Sequence, residues 1–169
     1  MPVVLESLSK SHDRAGFDCG TPELNEYFKK FALQDTRKNL SWIFVLVEDT
    51  QPSQVIGYFS LSQYAVKPNG LPEHLKKKLP PSREVPCTLL GRLAVNLKYK
   101  GQGFGYELLF FAMKYAVKAS ENIASFALIV DAKDHIAKSF YVKYGFLEFT
   151  DNPMRLMIPM QAVNRLMPL

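Results

Sequence analysis

Short apolar runs alternate along the chain with stretches of helical period. Val3 to Ser7 predicts a short first strand. Thr21-Pro22 predicts a helix start, with a hydroxyl at the cap and a proline at the first helical position, where no N–H is needed. Leu24, Tyr27, Phe28, Phe31 and Ala32 recur at helical spacing and define one apolar face. Glu26, Lys29, Lys30, Gln34, Arg37 and Lys38 fall largely elsewhere on the turn and are expected in solvent. Trp42 to Glu48 and Val55 to Val66 predict a hairpin around the polar break Asp49-Thr50-Gln51-Pro52-Ser53. Five prolines between Pro68 and Pro86 predict a loop, with one short helix at Glu73 to Lys78.

The second half has a different rhythm. Cys87 to Leu97 predicts a strand that runs into the turn Lys100-Gly101-Gln102-Gly103-Phe104-Gly105. A helix follows from about Gly103 to Ser120, with Leu109, Ala112, Met113, Ala116 and Val117 on its buried face. Ala124 to Val130 is nearly all apolar, as a strand buried on both faces is. A helix from about Asp134 to Tyr144 is stopped by Gly145. Phe146 to Phe149 and Met154 to Ile158 predict two last strands around Asp151-Asn152-Pro153. The expected order is β-α-β-β-β-α-β-α-β-β: an α/β fold on a mixed, mostly antiparallel sheet flanked by helices.

The 169 residues, 47% of them hydrophobic, suffice for a single domain spanning 1–169. Cys19 and Cys87 are too few for a disulfide scaffold and lack metal-ligand spacing, so they read as free thiols in a reducing cytosol. His12, His74 and His135 are scattered, and no metal site is expected. The N-terminus has no basic region followed by an apolar run, and no run of about 18 apolar residues occurs. A cytoplasmic protein that spans no membrane is expected. The net charge is +5, and residues 67–83 hold five cations (Lys67, Lys76, Lys77, Lys78 and Arg83) against Glu73 alone. Two readings stay open for that segment: a surface for a polyanion, or a solvated loop.

The glycine turn carries the most specific chemistry. It joins a strand to a helix, where unpaired N–H groups and the helix dipole favour an anion. Glycine lets a phosphate approach the backbone, because no Cβ intervenes. A Walker A loop needs Lys-Ser/Thr after its last glycine, and here Tyr106-Glu107 follows Gly105. A dinucleotide fingerprint needs a glycine spacing other than Gly101, Gly103, Gly105. By itself the turn is either an anion site or a glycine-rich corner that packs helix on strand.

Lys100 to Gly105 resembles motif A of the GNAT superfamily of N-acetyltransferases, Gln/Arg-x-x-Gly-x-Gly/Ala, with lysine in the first place. Ala137-Lys138-Ser139-Phe140-Tyr141-Val142-Lys143-Tyr144-Gly145-Phe146 resembles its motif B, one βα unit downstream. Phe17-Asp18-Cys19-Gly20, Leu24-Asn25-Glu26-Tyr27-Phe28, Ile56 to Ser62, Leu89 to Val95 and Ile129 to Ala132 are similar to the acetyltransferase toxins of type II toxin–antitoxin systems. That resemblance implies transfer of an acetyl group from acetyl-CoA to the α-amine of aminoacyl-tRNA, which stops translation. It also implies a ribbon-helix-helix antitoxin as partner, and a homodimer.

Site roles follow from the same resemblance. Tyr141 stands where the family's tyrosine protonates the coenzyme sulfur. Leu93, Ala94 and Val95 are expected along the pantetheine arm, and Lys100, Gly101, Gln102, Gly103, Phe104, Gly105 and Tyr106 around the pyrophosphate. Lys29, Lys30, Arg37, Lys76, Lys77, Lys78, Arg83 and Arg92 are the candidate tRNA contacts. Arg92 reads equally as an ion-pair partner. Asp131 reads as a helix-entry or loop residue rather than a base. Two alternatives are a small amine or protein N-terminus as acceptor, and a non-catalytic module that binds coenzyme A.

Overall fold

The computed structural model describes residues 2–167. In chain order it forms β1 (Val3–Ser7), α1 (Pro22–Lys30), α2 (Ala32–Arg37), β2 (Trp42–Glu48) and β3 (Gln51–Val66). Next come a 3₁₀ turn (Pro68–Gly70), α3 (Glu73–Lys76), β4 (Val85–Val95), a second 3₁₀ turn (Leu97–Tyr99) and α4 (Phe104–Ser120). The chain continues as β5 (Ala127–Asp131), α5 (His135–Lys143), β6 (Leu147–Glu148), β7 (Arg155–Pro159) and α6 (Met160–Leu166). The seven strands form a sheet in the order β1-β2-β3-β4-β5-β7-β6. Pairs β1/β2, β2/β3, β5/β7 and β6/β7 are antiparallel. The mixed, mostly antiparallel α/β sheet flanked by helices is the fold class expected.

The chain divides into two compact units. The first holds the residues up to Ser62 together with Leu90–Ala112. Its core gathers Phe17, Phe28, Ile43, Val45, Tyr58 and Ala94. Phe28 stacks on Tyr58 at 4.4 Å, and Phe17 meets both rings. Each ring so buried contributes about 1.5–3 kcal/mol. The second unit holds Gln63–Leu89 and the residues from Met113 onward, with Val66, Leu71, Cys87, Ala127, Ile129 and Met157 in its core. Burial there pushes the Cys87 thiol up to about 11. Both cysteines are free and buried. Among the described residues no helix is long and apolar enough to cross a membrane.

Several expectations are corrected. The first helix is two helices, broken at Phe31 (φ −119°, ψ −28°). Phe31 therefore leaves the apolar face and is 48% exposed, while Tyr27, Phe28 and Ala32 stay buried. The expected polar break at 49–53 shrinks to Asp49-Thr50, because Gln51 already pairs with Glu48. The β2/β3 ladder shifts register near Val47, which absorbs the extra residues as a bulge. Strand β4 starts at Val85 rather than Cys87, and Pro86 is tolerated at the strand's second residue. Ala124 to Phe126 precede β5. Strand β6 is only Leu147–Glu148. Helix α6 was not expected; its first residue follows Pro159, and Met160 and Val163 bury one side one turn apart.

Candidate active site

Strand β4 delivers the chain to the glycine turn. Asn96, buried just past its end, fixes the exit: its backbone N–H donates to the Ile56 carbonyl at 2.8 Å, and its side-chain amide donates to the Val55 carbonyl. Its side-chain oxygen accepts from the Lys98 N–H at 3.1 Å and starts the 3₁₀ turn. The loop at Asp18 braces that turn from outside. The Leu97 N–H donates to the Asp18 carbonyl at 2.8 Å. The Asp18 carboxylate accepts from the Gly20 N–H and the Asn25 amide, both at 2.9 Å. These bonds, the Gly20 one foremost, hold its pKa below the usual carboxylate value. Two stretches far apart in sequence thus meet: Phe17 to Asn25, and the approach to the glycine turn. Sequence patterns alone gave Asn25 and Asn96 no role; both are short polar side chains that bond local backbone, a signal weak outside a known fold.

At the turn, Gly101 (φ +78°) and Gly103 (φ +83°) lie in the left-handed region. A Cβ added to either would meet nothing within 4 Å. Glycine is therefore required by the backbone, and the space over the turn is open. The 17-residue α4 begins at Phe104, so its first N–H groups and its dipole face that space. An open cradle on a long helix's N-terminus fits a pyrophosphate. Phe104 is buried and meets Tyr99 edge-on at 6.0 Å; its side chain anchors the turn. Lys100, Gln102 and Tyr106 are exposed, whereas Gly105 is half-buried. Leu93 and Val95 are half-buried and Ala94 is buried.

In the second unit, the Asp134 carboxylate caps α5 by accepting from the Ala137 N–H at 2.8 Å. Past the end of α5, Gly145 (φ +100°) follows the cap residue Tyr144 and lets Phe146 turn back onto Tyr141 at 5.3 Å between ring centres. The Tyr141 ring is buried between Phe140 and Phe146. Among the described residues its hydroxyl has no hydrogen-bond partner. Burial holds the phenol well above its ordinary value, so it stays protonated. The hydroxyl is not among the buried polar atoms left unpaired, so its tip is accessible although the ring is buried.

Asp131 is corrected from loop to strand. It ends β5 and faces Arg155 of β7, which donates from Nε at 2.8 Å and from a terminal nitrogen at 3.2 Å. Such a fork holds the carboxylate as a structural partner.

Arg92 takes an arrangement that was not expected. Its guanidinium lies 3.4 Å over the Tyr27 ring. The Tyr27 hydroxyl donates to Asp35 at 2.6 Å. Of the other basic candidates, Lys29, Lys30 and Arg37 are exposed on α1 and α2 of the first unit. Lys76, half-buried, and the exposed Lys77, Lys78 and Arg83 belong to the second. Lys30 pairs with Glu26 and Lys76 with Glu73 along their helices, weak exposed contacts that leave both available.

A family model described as the acetyltransferase (GNAT) family matches residues 5–146. The tRNA-acetylating toxin of Mycobacterium tuberculosis (strain ATCC 25618 / H37Rv) is 32% identical over 159 residues, covering 94% of this chain and 93% of that protein. Among solved structures, a tyrosine-to-phenylalanine mutant of KacT superposes with a TM-score of 0.91 at 30% identity, over 98% of this chain and 99% of that one. AtaT complexed with acetyl-methionyl-tRNAfMet gives 0.90 at 28% identity, again over 98% and 99%. A tyrosine-to-phenylalanine mutant of AtaT bound to the C-terminus of the antitoxin AtaR and acetyl-CoA gives 0.83 at 26%, over 97% of each chain.

Proposed function

The chain belongs to the GNAT acetyltransferase family, and from that premise we propose that it moves the acetyl group of acetyl-CoA to the α-amine of an aminoacyl-tRNA. Acetyl-CoA supplies the acetyl group already activated as a thioester. The turn from Lys100 to Tyr106 holds its pyrophosphate, and the backbone of Leu93 to Val95 pairs with its pantetheine arm. The amine nitrogen attacks the thioester carbon, the carbon–sulfur bond breaks, and Tyr141 gives its proton to the departing sulfur. The phenolate then recovers a proton from the acylated amine through solvent, which closes the balance.

The observation that carries this reading is Tyr141, its ring held between Phe140 and Phe146 and its hydroxyl without a hydrogen-bond partner among the described residues. An α-amine needs little help from a base, because its pKa of about 7.7–8.0 leaves much of it neutral near pH 8. The tRNA acceptor is supported by what AtaT and the mycobacterial relative are named for, at 28% and 32% identity over nearly the whole chain. Lys29, Lys30, Arg37, Lys76, Lys77, Lys78, Arg83 and Arg92 supply the charge for the phosphates. On this reading the chain is a cytoplasmic toxin that halts translation. Residues 1–169 are one catalytic domain, the chain pairs as a homodimer, and a ribbon-helix-helix antitoxin keeps it silent.

The test is label transfer from acetyl-CoA to total charged tRNA, with Tyr141→Phe in parallel. Label on the aminoacyl group, lost in the variant, is the expected result. Coenzyme binding without label on tRNA, but with label on small amines or protein N-termini, overturns the acceptor. Coenzyme binding with no turnover on any amine overturns the enzyme.

A further inference from the structure

The contact between Arg92 and Tyr27 extends to a third ring. Tyr27 has Phe31 near-parallel to it at 6.4 Å, 23° between planes. Arg92, Tyr27 and Phe31 thus form a stacked group within the first unit, and its outer ring is 48% exposed. Phe31 sits where α1 breaks into α2, and a helix continued through it would have carried the ring on the apolar face. The break instead presents an aromatic face to solvent beside Lys29, Lys30, Arg37 and Lys38, all exposed. The inner ring is locked: the Tyr27 hydroxyl bonds Asp35, which stands on α2 one turn after Phe31. One bond therefore joins the two helices on either side of the break.

We propose that this stack is a platform for an unpaired nucleotide of the RNA substrate, with Phe31 taking the base and the Arg92 guanidinium a phosphate. The proposal rests on the aminoacyl-tRNA reading above and says which part of that RNA is gripped. Unpaired bases are read by stacking on aromatic and guanidinium planes, and the amino acid is carried on an unpaired 3′ end. An exposed ring among cations suits a base with its phosphate, whereas a protein partner would seek a wider apolar surface without them. Tyr27 and Asp35 act as positioning residues. They hold the guanidinium over the Tyr27 ring, from where its N–H groups would meet phosphate oxygens.

The experiment measures steady-state acetylation of charged tRNA by the full chain carrying Phe31→Ala, Phe31→Tyr, Tyr27→Phe, Tyr27→Leu or Arg92→Lys. Phe31→Ala is expected to raise KM for charged tRNA about tenfold or more, with kcat and the KM for acetyl-CoA little changed. Phe31→Tyr, which keeps a ring, restores it. Tyr27→Leu and Arg92→Lys follow Phe31→Ala, and Tyr27→Phe is intermediate. Binding of a single-stranded RNA ending in CCA, read by fluorescence anisotropy, should weaken in the same order. Wild-type transfer to charged tRNA with KM unmoved by Phe31→Ala overturns the platform and leaves the reaction standing. A Phe31→Ala loss confined to capture of a protein partner, with KM and RNA binding intact, also overturns it. A wild type that acetylates only small amines removes the reaction itself, whatever Phe31 does.

Discussion

Gly57 lies against Ala94 so closely that a Cβ built on it would stand 2.6 Å from the Ala94 carbonyl oxygen. The same Cβ would stand 2.6 Å from Cδ1 of Leu108 on α4. One of these neighbours is backbone and cannot rotate away. The missing side chain therefore lets β3 approach the end of β4 and the first turns of α4 at once, just before the glycine turn. Gly57→Ala should cost about 1–3 kcal/mol by overpacking. Thermal unfolding should show Tm lower by roughly 5 °C. Acetyl-CoA affinity should fall as well, because the displaced backbone is that of Ala94 and Val95. An unchanged Tm would show that the strands can part without loss.

Gly101 and Gly103 predict the opposite balance. Each has positive φ but open space where a Cβ would go. Alanine there costs only about 1–2 kcal/mol of backbone strain. The larger loss should appear in coenzyme binding, since the added methyl occupies the space a phosphate needs. Isothermal titration of Gly103→Ala with acetyl-CoA should show Kd raised tenfold or more beside a Tm change of a few degrees. Equal losses in both, or stability alone, would mark the turn as a packing corner.

Much of this was legible in the sequence, and the gaps have physical causes. The glycine turn and the Phe140-Tyr141 segment stand out through their resemblance to the two family motifs; by local pattern alone the turn reads equally as a packing corner, and only the helix stop at Gly145 is a local signature. Phe31 is misplaced by its spacing, which fits a continuous helix; the break lies in its own backbone angles, and the Tyr27–Asp35 bond joins the two helices across it. The short α6 was missed because Met160 and Val163 alone give too little periodicity over seven residues. Arg92 was readable as a cation at a strand position, but its ring partner lies 65 positions away along the chain. Gly57 stood inside a recognised segment, yet nothing in the segment tells which backbone will approach it.

Asp131 should be silent in catalysis. Its carboxylate is already forked to Arg155, whose guanidinium also lies 5.2 Å from the Tyr64 ring centre. Asp131→Asn should lower stability by about 1 kcal/mol or less, given the pair's exposure. Its kcat for charged tRNA should stay within about twofold, far short of the loss of a general base. A hundredfold fall in kcat with the fold intact would make Asp131 a base in spite of its pairing.

The state of Tyr141 fixes the shape of the pH profile. Burial raises its pKa above the ordinary 10.0, so the acid form persists across the whole range in which the protein is assayed. The acceptor amine loses its proton at about 7.7–8.0. The rate at subsaturating charged tRNA should therefore rise tenfold per unit at acid pH, bend near pH 8, and stay flat to pH 9.5. No alkaline limb should appear there, because a group whose pKa is raised keeps its proton longer as pH climbs. Tyr141→Phe should lower kcat by about 10²–10⁴-fold and keep the acid limb, since that limb belongs to the amine. Titration with acetyl-CoA should give the variant an unaltered Kd. If the wild-type rate instead falls between pH 8.5 and 9.5 and the fall vanishes in Tyr141→Phe, the phenol ionises early. Burial then does not set its pKa.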